Sequence, residues 1–135
     1  MDLRARCRKY KTIGKRLIKN DESLSYIRDS DVRIVFLSSD HEMKSGRKIV
    51  MGLCEKVPEK FKWAVRYDFM ITLFEPNIER LTDKQLEIVI LHELMHVGIE
   101  HDGNEEIYYI NQHDVEDFRT IIDRYGLDWS LDEQT

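Results

Sequence analysis

The sequence predicts a single α+β domain in which a small mixed sheet of three to four strands packs against N-terminal, central and C-terminal helices. Three β-branched and aromatic runs, Val32–Leu37, Ile49–Val57 and Tyr67–Phe74, have the length of strands and are bounded by proline, glycine or polar residues. Three longer stretches, 3–19, 82–98 and 113–126, repeat apolar residues at helical spacing. A chain of 135 residues, 41% hydrophobic and 35% charged, can bury one real core beneath a charged surface, as a soluble globular protein does; two full domains would be cramped.

Each element has its own local reason. Leu3, Cys7, Tyr10, Leu17 and Ile18 recur at near-helical spacing with Gly14 on the same stripe, so residues 3–19 read as an amphipathic helix with a basic outer face. Residues 21–29 add a further turn or two, with Leu24 and Ile27 inward. Val32–Leu37 is the first strand. His41 to Arg47 contains Ser45-Gly46 and reads as a surface loop. Ile49–Val57 is the second strand and Pro58 stops it. Tyr67–Phe74 is the third: Phe69, Ile71 and Leu73 face one side, Met70, Thr72 and Phe74 the other, and Pro76 closes it. This third strand is the candidate sheet edge for pairing with an extended peptide.

Thr82-Asp83-Lys84-Gln85 forms a capping box, with the Thr82 hydroxyl accepting from the Gln85 backbone and the Gln85 side chain reaching back. Leu86, Val89, Ile90, Leu94 and Val97 then mark a wide buried stripe, and Gly98 ends or loosens the helix. Asp102-Gly103-Asn104 is a turn, and Ile107–Ile110 is a short strand or a packed loop. A last helix begins near His113 and turns Val115, Phe118, Ile121, Ile122 and Tyr125 inward before Gly126. With no repeat or linker, the chain divides into a basic helical segment at 1–30, a core at 31–126 and an acidic tail at 127–135.

Composition excludes several classes of function. No apolar run is long enough to span a bilayer and no signal-peptide pattern opens the chain, so no membrane partner is expected. Cys7 and Cys54 are the only cysteines and form no CxxC pair, which argues against a zinc ribbon or a disulfide framework and for free thiols in a reducing cytoplasm. The formal net charge of −5 hides an asymmetry: residues 1–19 carry +7 and residues 100–135 carry −9. Basic residues 4–19 can touch nucleic acid through its phosphates. More often such residues are the solvated face of a helix, and that reading is preferred at this point.

The chemistry concentrates at His92-Glu93-Leu94-Met95-His96, an HExxH pattern. Residues four apart lie on one helical face, so both imidazoles can reach a single ion, and neutral imidazole suits Zn²⁺. Glu93 follows the first ligand and can take the proton of a water at the metal. Chance alone writes such a string in roughly one chain of this kind in fifty, so the context decides. The motif lies on a capped helix with a buried stripe, where two imidazoles and a carboxylate without a shared purpose would be costly.

A catalytic zinc site needs a third protein ligand. In the pattern HExxHxxGxxH the glycine would fall at 99 and the histidine at 102; this chain has Ile99 and Asp102, with Gly98 and His101 each one residue early, so the metzincin reading fails. His113, at the start of the last helix, is the preferred third ligand. Glu116 or Asp117, three or four residues on and on the same face, are the alternatives, or hydrogen-bonding partners to His113. Tyr108 and Tyr109 are the nearest phenols in sequence that could hold an oxyanion or a substrate group.

The run from Leu81-Thr82-Asp83-Lys84-Gln85 through His92-Glu93-Leu94-Met95-His96-Val97 to His113-Asp114-Val115-Glu116-Asp117-Phe118 resembles the phage metallopeptidase family, which pairs a helix bearing HELxH with a later HDVE[ED]F block. The resemblance covers about Val32 to Gly126. It implies a zincin-like fold, His92, His96 and His113 as zinc ligands, Glu93 as general base, and a peptide or protein substrate. The outline is also similar to SprT-like proteases, but the chain lacks the cysteine-based zinc ribbon many of those carry, so their DNA-linked substrates do not transfer. The alternative class is a non-catalytic protein, either zinc-stabilised for binding or DNA-associated through its basic segment. The presence of Glu93 weighs against it, since a structural zinc site needs no base.

Overall fold

The structure is a computed structural model and describes residues 3–112; the predicted last helix, the acidic tail, and His113, Glu116 and Asp117 lie outside the described residues. Along the chain, β1 (Arg4–Arg6) leads into α1 (Arg8–Asn20), a 3-10 turn and α2 (Ser25–Arg28). Then come β2 (Ile34–Ser39), a small hairpin of β3 (Lys44–Ser45) and β4 (Lys48–Ile49), β5 (Gly52–Lys56), and β6 (Phe69–Phe74). The short α3 (Glu75–Ile78), α4 (Asp83–Leu94) and a second hairpin, β7 (Val97–Asp102) with β8 (Glu105–Ile110), complete the described part. The class is α+β with a mixed sheet, as the sequence predicts.

The main sheet has the order β1-β2-β6-β5. β2 runs parallel to β6, from Ile34 opposite Phe69 to Ser39 opposite Phe74, while β1 and β5 pair antiparallel at the two sides. β6 is therefore central, and the expectation that Tyr67–Phe74 forms an edge is corrected. The physical reason lies in the sequence itself. Phe69, Ile71, Thr72, Leu73 and Phe74 are all buried, and a strand apolar on both faces has to be covered on both. The edges fall instead to strands carrying charge, β1 with Arg4 and Arg6 and β5 with Glu55 and Lys56.

The first helix also starts later than its apolar spacing suggests. Residues 4–6 pair with β2, the Cys7 amide donates to the Phe36 carbonyl at 3.0 Å, and Leu3 is exposed rather than inward. Sheet pairing overrides the helical period here. From Arg8 onward the stripe behaves as expected, with Tyr10, Gly14 and Leu17 buried, followed by Leu24 and Ile27.

α4 has the predicted capping box: Gln85 N–H donates to Thr82 Oγ1 at 3.2 Å and Thr82 N–H donates to Gln85 Oε1 at 2.9 Å. Leu86, Val89, Ile90 and Leu94 are buried as predicted, each such aliphatic contributing about 1.5–3 kcal/mol by leaving water. Thr82→Ala should therefore destabilise the fold by about 1 kcal/mol, read as a lower denaturation midpoint, without changing metal affinity.

Gly98 does not end the helix. It lies inside β7 opposite Tyr109, where a Cβ would sit 2.4 Å from the tyrosine ring. Residues 107–110 are a full strand, and Asp102-Gly103-Asn104 is the turn of that hairpin.

Candidate active site

The helix bearing the motif ends at Leu94, so His92 and Glu93 lie in its last turn and His96 just beyond. Helical geometry persists far enough to keep the two imidazoles together. Met95 stays in the helical region and its amide donates to Leu91 O at 3.0 Å, while the His96 amide donates to Glu93 O at 3.1 Å. The ring centroids of His92 and His96 are 5.1 Å apart, with the ring planes at 69°. Both histidines are half-buried, and Glu93 is buried, 6% exposed.

The helix end is held by residues the motif does not contain. Last-turn carbonyls have no partner inside a helix and need outside donors. Asn111 supplies one, its Nδ2 donating to Met95 O at 3.0 Å while its backbone N–H donates to His96 O at 2.6 Å. The Tyr26 hydroxyl donates to Val97 O at 2.6 Å. Most informative is His96 Nδ1, which lies 2.8 Å from the Asn111 carbonyl oxygen. A carbonyl only accepts, so Nδ1 is the donor here, and in the neutral ring Nε2 is then the nitrogen that can coordinate a metal.

Above His92 and Glu93 opens a cavity of about 320 Å³, whose other walls include Val89, Gly52 and the β3–β4 hairpin residues Ser45, Lys48 and Ile49. The hairpin is pinned from below by Asn77, whose Nδ2 donates to both Met43 O at 2.9 Å and Val50 O at 2.8 Å. Gly52 makes the close approach of strand and glutamate feasible. A Cβ there would meet Glu93 Cγ at 3.0 Å, Glu93 Oε2 at 3.1 Å and Leu73 Cδ2 at 2.8 Å. Two residues on, the Cys54 thiol is pushed up by burial, then by the nearby carboxylates of Glu93 and Glu55, and stays protonated.

The other candidates lie elsewhere. The Tyr108 hydroxyl donates to Glu106 Oε1 at 2.7 Å and its ring packs on Phe69; burial, then that carboxylate, raises its pKa. The Tyr109 ring covers Gly98. Neither phenol lines the cavity. His101 is exposed on β7, its Nε2 3.9 Å from Glu106 Oε2. Among the described residues no three His, Cys, Asp or Glu side chains converge on one point. Sequence reasoning missed Gly52, Asn77 and Asn111. Their roles depend on contacts 15 or more residues away, and nothing local marks them.

A paired imidazole and a buried carboxylate at one helix end define a candidate metal centre. The chain matches the family described as "Putative phage metallopeptidase" over residues 4–133, and it belongs to that family. The family name points to a metallopeptidase and therefore to a metal cofactor. No curated protein and no solved structure matches the chain. Among the described residues no helix is long and apolar enough to cross a membrane.

Proposed function

We propose that the protein is a zinc-dependent metallopeptidase of zincin-like fold that hydrolyses peptide bonds in a peptide or protein substrate. The observation that carries this reading is the meeting of His92, His96 and buried Glu93 at one end of α4, beneath a cavity walled by the start of the edge strand β5. The donor set fits zinc: two imidazoles, one of which points Nδ1 at the Asn111 carbonyl, so that Nε2 is the nitrogen a metal would take. His113 is assigned as the third ligand, with Glu116 and Asp117 as its alternatives or supporting carboxylates. Bound zinc would supply Lewis acidity, lowering the pKa of water toward neutral and polarising a peptide carbonyl.

Glu93 does the proton work in this reading. It accepts a proton from the attacking water and delivers it to the departing amine. An extended substrate would pair with the outer edge of β5 and set one side chain among Ile49, Met51 and Val89. Tyr108 and Tyr109 keep packing roles.

The test is cleavage of a broad peptide library by the zinc-loaded protein. Cleavage should stop with a chelator and return with added zinc. Protein that holds zinc yet cleaves nothing would favour a zinc-stabilised binding module instead. His113→Ala should weaken zinc binding by roughly tenfold or more. Unchanged zinc affinity removes that ligand assignment and turns attention to Glu116 and Asp117.

A further inference from the structure

The basic residues of α1 fall on two sides of the helix, with Arg8 bordering both. On the side facing α4, Arg16 meets Glu87 at 3.5 Å, and Asp83 lines the same groove. On the other side, between α1 and β2, a cavity of about 570 Å³ is lined by Arg6, Arg8, Lys11, Lys15, Arg33 and Tyr67 over an apolar floor. A neighbouring cavity of about 410 Å³ shares Lys15 and three floor residues with it and adds Lys19 and Arg28, so the two form one trough. Among the described residues no carboxylate lines either part. Arg28 is spent on the Ile18 and Lys19 carbonyls and Arg33 lies 3.8 Å from Asp68, but Arg8, Lys11, Lys15 and Lys19 have no ion pair among the described residues.

Tyr67 gives the trough aromatic surface, and the exposed Trp63 lies in the loop before it, outside the residues that line the trough. The Arg6 guanidinium stands 5.4 Å over the Tyr67 ring. The loop leading into Tyr67 carries Trp63, 87% exposed, directly after Lys62, whose ammonium is tied to Asp68 at 2.9 Å beside Arg33. A rise of 1.5 Å per residue sets Lys11, Lys15 and Lys19 about 6 Å apart along α1, comparable to successive phosphates of an extended strand.

We propose that this trough binds single-stranded nucleic acid, with the α1 cations taking phosphates and Tyr67 and Trp63 stacking on bases. Cations in a groove with exposed aromatic faces are the combination that single strands use. A membrane surface would also attract cations beside a tryptophan, but a lipid headgroup plane cannot enter a concave trough. This binding is independent of whether Glu93 turns over a substrate.

The test uses the full chain and fluorescence anisotropy with labelled twenty-nucleotide oligothymidylate and oligouridylate, a twenty-base-pair duplex, and anionic phosphatidylserine vesicles. Both single strands should bind, and log affinity should fall with log salt at about 0.7 per phosphate contacted. Lys11→Glu with Lys15→Glu alters only exposed positions; it should weaken binding by about tenfold or more and flatten the salt slope by about 1.4. Trp63→Ala should weaken binding about fivefold or more without changing the slope. Thermal melts of both variants should match wild type, since neither touches the core. Preference for one sugar would tell DNA from RNA within the proposal. Affinity unchanged by the lysine pair, unchanged by Trp63→Ala, or tighter for the duplex overturns it, as does binding to vesicles without binding to either single strand.

Discussion

Glu93→Gln is expected to abolish peptide cleavage, lowering kcat by about 10²–10⁴-fold, while zinc binds as in wild type. Glutamine keeps the volume and one carbonyl oxygen of the glutamate, so the contact with Gly52 and the packing on the end of α4 survive. What it removes is the basic oxygen that holds the proton between water and leaving amine. The substitution conserves volume at a buried position, so thermal stability should stay near that of wild type. That combination is diagnostic: activity gone, metal kept, stability kept. Retained cleavage would end the assignment of Glu93 as base. Lost zinc would mean instead that Glu93 serves to hold the ligand geometry.

Much of this site is local and so was legible in the sequence. The HExxH string, the Thr82–Gln85 cap and the buried stripe of α4 all depend on residues within a turn or two of one another, and the structure shows the cap and the burial of Leu86, Val89, Ile90 and Leu94. The strand runs were legible as well, though not their order. Whether Phe69–Phe74 lies at the edge or the centre depends on what pairs on each side, and the neighbour that decides it, β1, came from a segment whose apolar spacing also suits a helix. The apolar content of both faces was the available signal for a central strand. The helix end was less legible, because its termination at Leu94 is stabilised from Asn111 and Tyr26, far along the chain in both directions. Basic residues 4–19 showed their charge in the sequence but not its division. Only the fold separates the side that answers Glu87 from the side where no carboxylate among the described residues lines the trough.

Gly52→Val should lower kcat/KM by about 10²-fold through displacement of Glu93, leaving zinc content unchanged. At this position even a Cβ meets Glu93 Cγ at 3.0 Å and Leu73 Cδ2 at 2.8 Å, and the valine methyls extend the clash. The strand itself gains from a β-branched residue, so the backbone has little reason to move, and the side chains must. Leu73 sits on the central strand with no exposure, whereas Glu93 borders the cavity, so the glutamate is the neighbour with room to give way. A shift of about 1 Å in a catalytic group is enough for the expected loss. Combining Gly52→Val with Leu73→Ala separates the two contacts. The leucine substitution relieves the packing clash with the core but leaves the contact with Glu93, so stability should partly recover while activity stays low. Recovery of activity together with stability would mean that the loss came from strain in the core, and that Gly52 has no part in placing the base.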